Sequence, residues 1–183
     1  MPHSLPSALD ILDFWWSAGP SKWFTKNDKF DKECQNRFAE RIEQALNGEL
    51  DDWAHEPTSM FALILLLDQF PRNIFRGSPR AFEGDPKAQK LAELAMEKGF
   101  DRAFPKDVRM FFYLPFEHAE DMALQEKCVD LARRLGHQEF YLYALIHMDA
   151  IRRFGRFPHR NKVLGRTSTP EEEAYLADGG FSA

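Results

Sequence analysis

Three short segments of this 183-residue chain gather side chains able to do chemistry. In the first, Leu67-Asp68-Gln69-Phe70-Pro71-Arg72-Asn73, a carboxylate directly follows an apolar run. An isolated buried charge is very costly, so Asp68 must be paired or hydrogen-bonded. Two readings follow. Arg72, four residues on, ties Asp68 at a helix end, although Pro71 disturbs the helical geometry such a pair needs. Alternatively, Asp68 faces a cleft and is kept ionised by an arginine from elsewhere in the chain.

The second segment runs from Arg152-Arg153-Phe154-Gly155-Arg156-Phe157-Pro158-His159-Arg160-Asn161-Lys162 to Leu164-Gly165-Arg166. Residues 152–166 hold five arginines, one lysine and no acid, in a chain of net charge −5. Such a block is commonly a solvated face or a partner for acidic helices, and Glu171, Glu172 and Glu173 follow close behind to answer it. Gly155, Pro158 and Gly165 nevertheless give the segment a turn-rich shape. Arginines presented from a helix end and a tight loop suit bidentate binding of phosphate or carboxylate. Phe154 and Phe157 would pin that loop to the core.

The third segment, Phe116-Glu117-His118-Ala119-Glu120-Asp121, sets a histidine among three acids, fit for a general acid or a salt-bridge member. No metal-ligand spacing is present, neither His-Glu-x-x-His nor a cysteine cluster, so no metal is expected. His147 shares a helical face with Phe140, Ala144 and Ile151 and reads as a core histidine. Cys34 and Cys128, the two cysteines, are far apart and read as core residues. Gly-x-Gly-x-x-Gly, the phosphate loop and Gly-x-Ser-x-Gly are all missing, which argues against the usual nucleotide-dependent and α/β-hydrolase chemistries. No cofactor is expected.

Helices must position these residues. Ser7 and Asp10 form a capping-box pattern ahead of Leu9, Leu12, Trp15 and Trp16. Asp28 caps a second helix carrying Phe30, Cys34, Phe38, Ile42 and Ala45, ended by Asn47-Gly48. A third starts near Pro57 and reaches about Phe70; being apolar on every side, it should be central. Pro71 breaks it, and 72–84 reads mostly as loop. Asp85-Pro86 opens a helix with a stripe of Ala88, Leu91, Ala92 and Ala95, closed by Gly99. A shorter helix follows Pro105 and ends at Pro115, another spans His118 to Leu135, and a third spans Gln138 to Phe154. Thr169-Pro170-Glu171-Glu172 starts the last. No stretch alternates with period two, so no sheet is expected. The chain reads as one all-α domain, 1–183, of seven or eight antiparallel-packed helices.

Composition agrees: 44% hydrophobic residues, 14% aromatic and 29% charged can fill a core. A sequence pI near 5.7 argues against a general nucleic-acid binder, though Arg-Phe-Gly-Arg-Phe-Pro-His-Arg interleaves aromatics with arginines as RNA-binding segments do. The opening Met1-Pro2-His3-Ser4-Leu5-Pro6 shows no cationic leader before an apolar stretch, and the longest apolar run, Met60 to Leu67, is far short of a membrane span. A soluble cytoplasmic protein is expected.

The same motifs, with Arg80-Ala81-Phe82, Tyr113-Leu114-Pro115-Phe116-Glu117-His118, Ser168-Thr169 and the early Trp23-Phe24, resemble domain-of-unknown-function family 924 in order and spacing. The resemblance spans nearly the whole chain. It implies a compact helical fold similar to tetratricopeptide-repeat proteins without their repeat consensus, and it implies no established activity. Ala119 stands where the family pattern often has serine, so no serine nucleophile is expected there.

Three functions compete. The leading expectation is a pocket for a small anionic ligand, phosphate- or carboxylate-bearing, lined by Arg72, Asn73, Arg80, Arg153, Arg156, His159, Arg160 and Asn161. Asp68 and His118 would be its acid–base pair if it is an enzyme. The second is a helical scaffold that binds an acidic peptide or protein partner in a basic groove. The third is a polar network that only holds helices in register.

Overall fold

A run that is apolar on every side must be surrounded, and here helices surround it. The computed structural model describes residues 5–182; the opening residues 1–4, part of the stretch read as lacking a leader, lie outside the described residues. Among the described residues the fold is all-α, with α-helices and 3₁₀ turns and no strand. The α-helices are α1 (Ala8–Ala18), α2 (Pro20–Trp23), α3 (Asp28–Leu46), α4 (Pro57–Asp68), α5 (Phe70–Ile74), α6 (Asp85–Lys98), α7 (Lys106–Arg109), α8 (Leu114–Glu117), α9 (Met122–Leu135), α10 (Gln138–Phe154) and α11 (Pro170–Ala177). The chain divides into two compact units, Met1–Phe104 and Pro105–Ala183.

In the first unit α4 is the hub, packed by α1, α3, α5 and α6 and buried without a break from Met60 to Asp68. The capping box of Ser7 and Asp10 starts α1, which buries Ile11, Leu12 and Trp15. Leu9 is 61% exposed, so the apolar stripe begins one turn later than its spacing suggests. The five residues Phe30, Cys34, Phe38, Ile42 and Ala45 are the buried face of α3. Its cap is Asn27 rather than Asp28, because the Asn27 side chain accepts the Phe30 N–H. Trp15, Phe38 and Phe70 pack ring against ring, with Trp15 and Phe38 centroids 5.0 and 4.8 Å from Phe70.

Pro71 ends α4 as expected but does not open a loop. It sits in the first turn of α5, where a fixed φ and a missing N–H cost nothing. A 3₁₀ turn, Pro79–Phe82, follows, so much of 72–84 is helical. Gly84 precedes α6 and lies directly on Leu67 of α4; a Cβ there would drive into the Leu67 carbonyl.

In the second unit α8, α9 and α10 pack on one another. The helix expected from His118 instead begins at Met122, because the Asp121 side chain accepts the Leu124 N–H and so caps it. The turn before it is held by Gln125, whose Nε2 donates to the carbonyls of Glu117 at 2.6 Å and Ala119 at 2.8 Å. Helix α10 ends at Gly155 in the left-handed conformation, φ 69°. Ala150, Ile151 and Phe157 form a core cluster with Met122 and Phe181 against it.

Both cysteines are buried and unpaired, and burial pushes the Cys34 thiol up to about 12 and raises that of Cys128. No helix among the described residues is long and apolar enough to cross a membrane.

Because Gly84 allows α6 to touch the α4 backbone, Gly84→Ala should cost about 1–3 kcal/mol of stability, the usual penalty for overpacking. Urea denaturation reads this directly, and an unchanged midpoint would contradict the close approach.

Candidate functional site

The predicted site residues fall into both units. Asp68, Arg72, Asn73 and Arg80 belong to the first; His118, Arg153, Arg156, His159, Arg160 and Asn161 belong to the second.

In the first unit the polar groups satisfy one another. Asp68 is fully buried; its Oδ2 accepts from Gln69 Nε2 at 2.5 Å, and Arg72 lies 3.4 Å from its Oδ1. The closer partner of Arg72 is Asp85, which takes two parallel bonds of 2.8 and 3.0 Å. A further bond from Arg72 to the Asp68 carbonyl, 2.5 Å, closes the end of α4. Asn73 donates to Asp31 at 2.9 Å, beside Arg76. Arg80 pairs with Glu43 and lies over the Phe75 ring.

The second unit is organised around the loop that joins α10 to α11. Glu172, only 2% exposed, accepts from Arg156 Nε and Nη2 at 2.6 and 2.8 Å, from Asn161 Nδ2 at 3.0 Å and from the Thr169 N–H at 2.8 Å. The hydrogen bonds from Arg156 hold its carboxyl down at about 2. Asn161 also accepts from Arg166 Nε at 2.9 Å. Arg166 in turn gives two bonds to Glu120, 2.6 and 2.9 Å, and Glu120 accepts the Phe157 N–H at 2.8 Å. Burial would raise the Glu120 carboxyl, but the bonds from Arg166 and Phe157 outweigh it and keep it low. The acids that answer Arg156 and Arg166 of the basic block are therefore Glu172 and Glu120, one near in sequence and one distant.

Three histidines gather beside this loop. The His147 ring lies 6.2 Å from His118, 5.5 Å from Phe157 and 4.1 Å from Phe181, and His159 lies 5.1 Å from Phe181. His147 Nδ1 donates to the Tyr143 carbonyl at 2.8 Å, which leaves Nε2 as the acceptor nitrogen when the ring is neutral. Burial pushes His147 down to about 3, and burial with the nearby Arg160 charge pushes His159 down to about 4. Arg160 lies over the Phe157 ring and donates to the His118 carbonyl at 3.1 Å. Among the described residues no group of three or more histidines, cysteines or acids is placed to hold a metal ion.

Arg153 is different. Its side chain is 47% exposed, and among the described residues its one ion pair is a 3.8 Å approach to Asp149, a carboxylate already bonded by Arg152 at 2.6 Å. Its guanidinium lies over Phe154 and Tyr175, 4.9 and 4.7 Å from the ring centroids. There it lines a cleft of about 450 Å³ with Glu171, Ala174, Tyr175, Asp178, Gly179 and Gly180. Sequence reasoning picked Arg153 and named Glu171 as an acid answering the basic block, but missed Ala174, Tyr175 and Asp178 beside it. Their spacing of three, one and three after a clear helix start was the available signal.

The family described as "Bacterial protein of unknown function (DUF924)" matches residues 11–180 of the chain. The solved structure of the protein of unknown function ATU0120 from Agrobacterium tumefaciens is similar, with 49% sequence identity, a TM-score of 0.91 and coverage of 94% of this chain and 97% of that one. No curated protein matches.

The depressed histidines set an acid limit on the fold. Each is neutral when folded and protonates at 6.5 when unfolded, so its contribution is complete above pH 6.5 and is lost as pH falls toward about 4 for His159 and about 3 for His147. Glu172 adds a loss below its ordinary 4.5, toward about 2. Unfolding free energy measured by urea titration should fall steadily below pH 6.5. His147→Gln should flatten the slope between pH 6 and 4 by up to ~1.4 kcal/mol per pH unit. A slope unchanged by that variant would contradict a neutral buried His147.

Proposed function

The chain belongs to the DUF924 family, whose description assigns no activity, and from its geometry we propose that it binds a small anionic ligand in the cleft beside Arg153. The observation that carries this reading is the state of that guanidinium. Arg72, Arg80, Arg156 and Arg166 each have a carboxylate in close contact, with which a ligand would have to compete. Arg153 is half-exposed and lies over the adjoining rings of Phe154 and Tyr175, and its one ion-pair partner among the described residues, Asp149, stands 3.8 Å away and is already bonded by Arg152. A guanidinium oriented in this way loses little further freedom on gripping a phosphate or carboxylate with two parallel bonds.

This reading narrows the arginine-lined pocket expected from the sequence to one arginine. Arg156, Arg160 and Asn161 support it indirectly, by fixing the loop between the end of α10 and the start of α11. The burial of Asp68 and its bonds to Gln69 and Arg72 support a structural role for that carboxylate.

Isothermal titration with inorganic phosphate and with acetate tests the reading. At least one should bind the wild type, and Arg153→Gln should weaken it ten-fold or more with an unchanged melting temperature. A ligand at 100 times its dissociation constant adds about 2.7 kcal/mol, so a thermal-shift rise lost in the variant is an independent check. Binding that survives Arg153→Gln would move the site elsewhere.

A further inference from the structure

The cleft beside Arg153 holds two acids as well as one base. Glu171, Ala174, Tyr175 and Asp178 occur at helical spacing, so they line one side of α11 and its C-cap. Neither Glu171 nor Asp178 has an ion-pair partner among the described residues, although arginines are plentiful in this unit. Tyr175, on which Arg153 stacks, lies between them. With a rise of 1.5 Å per residue, Glu171 is roughly 6 Å from Tyr175 along the axis and Asp178 roughly 4.5 Å on the other side. One positive charge therefore lies at the middle of the cleft with a carboxylate toward each end.

The remaining wall is backbone. Gly179 and Gly180 close the end of α11: the Gly180 N–H donates to the Tyr175 carbonyl at 2.8 Å, and Gly179 has φ 79°. A Cβ on Gly180 would fall 2.6 Å from the Tyr175 ring, so this position must stay without a side chain and leaves that wall open. The Phe181 N–H then donates to the Tyr175 hydroxyl at 2.9 Å, which holds the ring in place.

A plain anion entering this cleft meets one attractive charge and two repulsive ones. A ligand that also carries an amine turns the repulsion into attraction. We propose that the cleft takes a zwitterion, a phosphate or carboxylate on Arg153 joined by a short spacer to an ammonium group on Glu171 or Asp178. The inference rests on the anion-binding reading of Arg153 and adds the second charge. Both acids stand about one helical turn from Tyr175, so the spacer between ammonium and anion is short, on the order of two or three carbons. Recognition of both ends would also disfavour ligands with an anion at each end, whose second charge faces the acids.

The test is isothermal titration of the full chain with a matched pair, propylphosphonate and 3-aminopropylphosphonate, alongside inorganic phosphate and propylamine. The aminated compound should bind at least ten-fold more tightly than its plain counterpart. The double variant Glu171→Gln, Asp178→Asn should erase that preference and leave phosphonate binding intact, whereas Arg153→Gln should weaken both phosphonates. All three residues are exposed, and equal melting temperatures establish that the variants are folded. Equal affinity for the two phosphonates, or a preference that survives the double variant, overturns the zwitterion and leaves the anion site standing. If no anion binds, both readings fall. If propylamine alone binds as tightly as 3-aminopropylphosphonate, the cleft is a cation site and both readings are again wrong.

Discussion

Glu172 is a carboxylate almost wholly withdrawn from water, and four donors converge on it: two from Arg156, one from Asn161 and one from the backbone of Thr169. A charge in that position is tolerable only while every donor is present. The demand fixes the chain on both sides. It sets the start of α11 through the capping box, the end of α10 through Arg156, and the loop between them through Asn161. Through Asn161 the constraint passes to Arg166, and from there to Glu120 at the head of α9 and to the Phe157 N–H. The loop has little regular structure of its own beyond the 3₁₀ turn Pro158–Arg160, so these charge-assisted bonds take the place of a helix ladder.

The same arrangement explains why Arg153 is available. The loop's other fixed arginines, Arg156 and Arg166, are consumed by Glu172 and Glu120 in holding α11 against the end of α10. That placement brings Tyr175 under the Arg153 guanidinium and forms the cleft between them. The structural network and the proposed site are therefore one device. The pairs that hold helices in register and the proposed anion site draw on different residues of the same basic block.

Much of this was legible in the sequence, for physical reasons that are local. The buried face of α3, the all-round apolar α4, the stripe of α6, the limits of α10 and the cap at Thr169 all depend on periodicity and on caps a few residues away. What the sequence hid is long-range. Arg72 reads as the partner of Asp68, four residues distant, yet its two parallel bonds go to Asp85. The tie from Glu120 to Arg166 spans 46 residues and has no pattern to announce it. The prolines misled in a different way. Pro71 and Pro115 read as stops, but each lies in the first turn of a new short helix, because the property that ends one helix suits the start of the next.

Amide hydrogen exchange measures the central constraint most directly. The Phe157 and Thr169 N–H groups lie outside the α-helices and, among the described residues, donate to Glu120 and Glu172, at 2.8 Å each. Both should exchange slowly in the wild type. Glu172→Gln should speed exchange at Thr169 and, through Asn161 and Arg166, at Phe157, while amides in the middle of α10 stay protected. Rapid exchange of both amides in the wild type, or protection at Phe157 untouched by the loss of the Glu172 charge, would contradict a loop held as one network.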